Sequence, residues 1–145
     1  MFQKLDTINH SGCSKIEFFA ETNPGEGFYK IKDIASGGEL SRILLSVRQI
    51  LSGQDTISVY LFDEIDTGIG GETAISIGKS LQLVSEYSQV LAITHLPQIA
   101  NFGSQIINVS KSTYSVDDQY RTASKIEFVS NEKKVEFLKS MNPIF

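Results

Sequence analysis

Cysteine is nearly absent: Cys13 stands alone among 145 residues, so no internal disulfide can form and a reducing, cytoplasmic setting is expected. Long apolar runs are absent as well. Pieces such as "VYLF" fall far short of the roughly 20 residues a membrane-spanning helix needs. The opening "MFQKLDTINH" lacks the basic-then-apolar order of a secretory signal. A basic surplus is missing too. The net charge is −4, which argues against these residues alone forming a nucleic-acid grip. What is present is an ordinary globular composition, 41% hydrophobic and 21% charged, in a length that suits one domain with a real core. No repeat, low-complexity tract or long linker divides it, so 1–145 is read as a single domain.

The patterning predicts an α/β order of elements. "SKIEFFAET" (14–22) alternates Ile16, Phe18 and Ala20 against Lys15, Glu17, Phe19 and Glu21, as in a strand with one buried face. "NPGEG" is a turn and "FYKI" (28–31) the returning strand. From 39 to 51, Leu40, Ile43, Leu44, Val47, Ile50 and Leu51 form the stripe of an amphipathic helix. "ISVYLF" (57–62) is nearly all apolar, as in a strand covered on both faces. "DEIDTGIGG" (63–71) is a loop, and Ala74, Ile77, Gly78, Leu81 and Val84 line the next helix, 72–86. "QVLAIT" (89–94) is a second buried strand, and "LPQIANF" (96–102) a short helix with Pro97 in its first turn. Beyond it, "SQIINVSK" and "YRTASKIEFV" are strands joined by the polar stretch "STYSVDD", before a helical tail "NEKKVEFLKS".

The strand–helix–strand unit at the centre predicts parallel strands that end on one edge of a sheet. Ligands of open α/β sheets bind beyond that edge. Asp63, Glu64 and Asp66, which follow the first strand, are therefore expected near His95, which follows the second. Extended backbone sends successive side chains to opposite sides, so Asp63 and Glu64 can divide labour. One can hold Mg²⁺ and the other can orient or deprotonate water. Two acids after a strand also serve simply to solvate a loop, and a lone histidine is commonly a loop or core residue. Co-location is what gives these residues weight.

"ASGGELSRILLSV" (35–47) puts two glycines directly before a helical pattern. Ser36 and Glu39 fit a capping box. A cap needs no glycine, and each glycine inside a helix costs about 0.8–1 kcal/mol relative to alanine. Two explanations stay open. The turn requires positive φ, or the bare backbone at the helix amino terminus admits a phosphate. "GKS" (78–80) resembles the end of a phosphate-binding loop, but the required first glycine is Thr73 and the stretch lies within a helical stripe. Lys79 is accordingly read as a surface lysine, and the chain lacks a recognisable loop for the β-phosphate.

These residues together resemble a known family. "SGGELSR" (36–42) is similar to the signature motif of ABC-type ATPase heads, "VYLFDEID" (59–66) to the Walker B strand with its D-loop, and "ITH" (93–95) to the switch-histidine segment. "NPGE", "ASGGELSRILLSV", "LFDEIDTGIGG" and "AITHLPQIA" narrow the resemblance to the carboxyl-terminal part of the head of the bacterial RecN family. That family comprises DNA repair proteins related to SMC and Rad50 proteins. The resemblance covers about residues 12 to 111. "DTGI" and "THLPQ" favour RecN over other SMC-like heads, and residues 112–145 add little.

The resemblance implies the carboxyl-terminal lobe of a P-loop ATPase head, with a mostly parallel sheet flanked by helices and additional antiparallel strands. It implies a part in an ATP-sandwich dimer of a double-strand-break repair protein. Ser36, Gly37 and Gly38 would contact the γ-phosphate of an ATP held by the opposite subunit, and Glu39 would support that loop. Asp63 would help hold Mg²⁺ and Glu64 would polarise the attacking water. Asp66 would communicate across the dimer, and His95 would contact the γ-phosphate. The implied cofactors are ATP and Mg²⁺, both in the complete head only. The implied partners are the amino-terminal lobe of the same head, a second head through ATP, and DNA through the full-length protein. In this family the Walker A loop precedes a long coiled coil, after which this chain is expected to start, so the isolated chain is expected neither to bind ATP tightly nor to hydrolyse it. Two alternatives stay open: a non-catalytic module that pairs with a complete SMC-like head, and the lobe of another SMC-, Rad50- or RecF-type ATPase.

Overall fold

The computed structural model describes residues 2–10, 12–21, 24–51, 53, 57–116 and 119–141. The chain opens with an antiparallel pair, β1 (Phe2–Asn9) and β2 (Gly12–Ile16). β1 has no counterpart among the expected strands, because its apolar residues Phe2, Leu5 and Ile8 recur every third position rather than every second. A second antiparallel pair follows, β3 (Phe19–Ala20) with β4 (Tyr29–Lys30), in the register Phe19↔Lys30 and Ala20↔Tyr29. The returning strand at 28–31 is thus realised through Lys30, while Ile31 already starts a single helical turn, α1 (Ile31–Ile34).

The strand expected over 14–22 is split in two, and its facing is reversed at residues 16–19, while Ala20 is half-buried and Lys15 and Glu21 exposed as expected. Ile16 and Phe18 are 56% and 73% exposed. Glu17 is drawn in instead, because the ammonium groups of Lys15, Lys30 and Lys32 lie 3.2, 2.9 and 3.9 Å from its carboxylate. Lys30 and Lys15 hold the Glu17 carboxyl below its ordinary value, the Lys30 hydrogen bond contributing most.

α2 (Gly37–Leu51) starts two residues earlier than the periodicity predicted, so both glycines are helical. Its orientation corrects the sequence expectation more deeply. Leu40, Ile43, Leu44, Val47, Ile50 and Leu51 are all at least 40% exposed, whereas Leu45, outside that stripe, is 1% exposed. The inward face carries Gly38, Ser41, Arg42, Leu45 and Arg48, all buried or half-buried. Polar contacts turn it inward: Ser41 and Arg42 bond the loop beyond, and the Arg48 guanidinium lies 5.2 Å from the centre of the Tyr60 ring.

β5 (Val59–Phe62), α3 (Gly71–Ser85) and β6 (Gln89–Ala92) form the central crossover. β5 and β6 pair in parallel, Val59↔Gln89 to Phe62↔Ala92. Tyr60 and Phe62 point into the core, but Val59 and Leu61 are 50% and 65% exposed. β5 is therefore covered on one face and not on both, and on β6 Leu91 is likewise open at 42%. α3 behaves as its stripe predicts, with Ala74, Gly78, Leu81 and Val84 buried. A side chain at Gly78 would collide with the Phe102 ring, so the glycine of "GKS" serves helix packing, and Lys79 is exposed as expected.

α4 (Pro97–Ala100) has Pro97 in its first turn and buries Ile99. A long antiparallel hairpin follows, β7 (Ile106–Val116) with β8 (Gln119–Val129), so most of "STYSVDD" is strand and not connector. After a tight turn at Asn131–Lys133 comes α5 (Lys134–Met141), pinned to the end of α4 by Lys134 Nζ, which donates to the carbonyls of Asn101 and Gly103 at 3.0 and 2.8 Å.

Among the described residues the strands form four two-stranded pairs, of which only β5–β6 is parallel. The mostly parallel sheet of the sequence expectation is thus reduced to that pair. The core gathers Leu45, Tyr60, Phe62, Ile65, Ala74, Leu81, Val84 and Ile99 from α2, β5, its following loop, α3 and α4. No helix among the described residues is long and apolar enough to cross a membrane.

Candidate functional site

Ser36 and Glu39 make the expected capping box. The Ser36 amide donates to Glu39 Oε2 at 2.8 Å, and the Glu39 amide donates back to Ser36 Oγ at 3.3 Å. The Ser36 amide and then its hydroxyl hold the Glu39 carboxyl below its ordinary value. The amides of Gly37 and Gly38 have no hydrogen-bond partner among the described residues, so the positive end of the α2 dipole carries two bare donors.

The glycine pair packs on the acidic loop. A Cβ at Gly37 would sit 2.5 Å from Glu64 Oε2, and a Cβ at Gly38 would sit 2.7 Å from the Glu64 carbonyl oxygen and 3.0 Å from Thr67 Cβ. Neither glycine has positive φ. Close approach of backbone therefore explains Gly38, and a turn that needs positive φ explains neither. The two substitutions should differ in sign. At Gly37 the obstacle is the end of a flexible, exposed side chain, so Gly37→Ala is expected to be neutral or stabilising by up to about 1 kcal/mol through helix propensity. At Gly38 the obstacle is backbone, so Gly38→Ala is expected to lose about 1–2 kcal/mol, overpacking exceeding the propensity gain. Urea midpoints of the two variants check this.

The loop after β5 is stitched to α2. Ser41 Oγ donates to the Asp63 carbonyl at 2.9 Å, and Arg42 Nη1 donates to the carbonyls of Ile65 and Thr67 at 3.3 and 2.9 Å. Ile65 is fully buried and anchors the loop from beneath. Asp63 Oδ1 accepts the Glu64 amide at 2.9 Å. Glu64 has φ +57°, the only non-glycine residue with positive φ among those described. Both residues lie beyond the end of β5 and Glu64 is in a left-handed turn, so strand alternation does not set their directions. Such a conformation costs roughly 1–3 kcal/mol and persists where surrounding structure enforces it, as functional sites commonly do.

Topology brings Asp66 to His95, as the parallel crossover predicts. Asp66 is 4% exposed, and its Oδ2 accepts the Thr94 hydroxyl at 2.6 Å, the His95 amide at 2.7 Å and lies 2.9 Å from His95 Nδ1. The Asp66 carboxylate is turned inward, whereas Ser36, Asp63, Glu64 and His95 are exposed. Burial pushes the Asp66 carboxyl up, but the Thr94 hydroxyl and the His95 amide and ring together outweigh it and leave it below its ordinary value of 3.8. A depressed folded value means stability that is present above the unfolded pKa and lost as pH falls through the folded one. Denaturant midpoints should therefore fall more for the parent chain than for Asp66→Asn as pH drops below about 5 and on through the folded value.

Ser41, Arg42 and Thr94 were not singled out by sequence reasoning. Ser41 and Arg42 lie inside "SGGELSR", but only the tertiary fold shows that they hold the acidic loop. Among the described residues no three His, Cys, Asp or Glu side chains converge as a metal site. Mg²⁺ carried on a nucleotide needs only one or two protein carboxylates, with phosphates and water completing its shell. The exposed Asp63 fits that arrangement. When bound, such an ion polarises phosphoryl oxygens.

No family model matches the chain. It is similar to DNA repair protein RecN of Haemophilus influenzae, 40% identical over 134 residues that cover 92% of this chain and 23% of that protein. The chain thus spans about a quarter of the length of that relative. Among solved structures it is similar to the Smc head domain, with coiled coil and joint, of Pyrococcus yayanosii: 25% identity, TM-score 0.61, covering 90% of this chain and 23% of that one. It shares its fold with an SMC ATPase characterised for ATP-driven dimerisation and DNA-stimulated activation, at 24% identity and TM-score 0.52, covering 81% of this chain and 67% of that one.

Proposed function

We propose, on the premise that this chain is a RecN-like segment from the carboxyl-terminal part of an SMC-type ATPase head, that it works as half of an ATP-hydrolysing unit. Ser36 and the bare amides of Gly37 and Gly38 receive the γ-phosphate of an ATP held by an opposing head. Asp63 helps hold Mg²⁺, Glu64 orients the attacking water, and His95 touches the terminal phosphate. DNA double-strand-break repair, head-to-head dimerisation and DNA contact belong to the whole protein.

The observation that carries the proposal is that the α2 amino terminus, with the Gly37 and Gly38 amides bare, packs on Glu64 in a left-handed turn. Two open apolar faces support a complementary lobe. One is the α2 stripe from Leu40 to Leu51; the other is formed by Val59, Leu61 and Leu91 on β5 and β6. Exposed apolar area of this kind marks an interaction surface. The remaining three quarters of a RecN-like protein is the occupant that fits it.

Co-expression with the amino-terminal lobe of a RecN head is the test. A stable complex with Mg-dependent ATPase activity is expected, and the chain alone should show none. Ser36→Arg, placed on an exposed position, should abolish ATP-driven dimerisation while the fold is kept. A complex whose properties do not depend on Glu64 supports the competing interaction module.

A further inference from the structure

Among the proposed site residues, Asp66 is the one whose carboxylate is buried, and its partners give it a different task from those around it. We propose that Asp66 is a positioning residue for His95: it fixes the imidazole as the Nδ1–H tautomer and so presents Nε2 to the outside. This rests on the proposed role of His95 at a terminal phosphate.

Three donors converge on one oxygen. Thr94 Oγ1 accepts the Leu96 amide at 3.0 Å, so its own proton is directed to Asp66 Oδ2. The His95 amide fixes the backbone onto the same oxygen. A carboxylate oxygen so placed accepts and does not donate, so the ring nitrogen 2.9 Å away must carry the hydrogen. The side chains are 5% exposed for Asp66 and 74% for His95, so the pinned nitrogen lies inside and the opposite edge of the ring faces out. Arg42 holds the carbonyls of Ile65 and Thr67, the residues on either side of Asp66, which ties the carboxylate to α2 as well. A histidine whose second nitrogen is held this way has a defined orientation and a defined free nitrogen.

The chain contains only two histidines, so its imidazole nitrogens are simple to assign. Long-range ¹H–¹⁵N spectra of the full chain above pH 7 should show His95 as the Nδ1–H form, with exposed His10 as the internal reference. Asp66→Ala should return His95 to the tautomer distribution of His10, with backbone amide shifts elsewhere unchanged. An Nε2–H form of His95 in the parent chain overturns the proposal. So does an Nδ1–H form that survives Asp66→Ala in a folded chain. If Asp66→Ala does not fold, the parent spectrum decides alone. In the head reassembled with its amino-terminal lobe, Asp66→Ala should lower kcat by about 10–100-fold at unchanged KM, and the double variant with His95→Ala should be no slower than His95→Ala alone. Additive losses overturn it. An inactive reassembled parent head refutes the ATPase proposal while leaving the tautomer result standing.

Discussion

Leu45→Ala is expected to destabilise this chain by about 2–5 kcal/mol, while Leu44→Ala costs less than about 1 kcal/mol. Leu45 is 1% exposed and sits within the core formed with Tyr60, Phe62 and Ile65, so truncation leaves a cavity that the surrounding side chains fill only in part. Leu44 is 43% exposed and leaves none. The sequence pattern predicts the opposite order, since Leu44 belongs to the apolar stripe and Leu45 does not. Urea unfolding of the two variants reads the difference directly. In the head reassembled with its amino-terminal lobe, Leu44→Ala should weaken the complex, because the proposed lobe covers that stripe. A Leu44→Ala chain that unfolds as readily as Leu45→Ala would mean that α2 is turned the other way.

The second large effect is chemical. Glu64→Gln in the reassembled head should reduce ATP turnover by about 10²–10⁴-fold, the usual contribution of a positioned acid–base group. The substitution is nearly isosteric and the residue is exposed, so the stability of the chain should change by no more than about 0.5 kcal/mol. Nucleotide binding and complex formation should persist. A pure binding role for this chain predicts unchanged turnover in the same assay, so a single substitution separates the enzyme from the interaction module.

The site and the fold differed in how far the sequence disclosed them. The capping box, the α3 stripe and the parallel crossover were legible because each is a local or nearest-neighbour pattern. Asp66 and His95 were placed near one another by topology alone. The facing of α2 was not legible. Its periodicity identified the apolar side correctly, but Ser41 and Arg42 attach the polar side to the acidic loop, and periodicity carries no information on which side a chain covers for itself. The same holds for β5, whose continuous apolar run predicted cover on both faces, whereas Val59 and Leu61 stay exposed and one face alone is covered. The strand pair at 14–30 failed for another reason. The lysines that draw Glu17 inward come from different elements, and no alternation along one strand reports them.

The sequence by itself determined the crossover order, the capped amino terminus of α2, the acids after β5 and the histidine after β6, together with the resemblance that their motifs carry. The tertiary structure alone decided that the glycine pair lies against Glu64, that Asp66 is buried beneath His95, and that two apolar faces stay open. The physical reason is the range of the forces involved. Capping and periodicity act within a few residues of chain, whereas close backbone approach, buried hydrogen bonds and uncovered apolar surface depend on segments about 25–30 residues apart that meet only in the folded molecule.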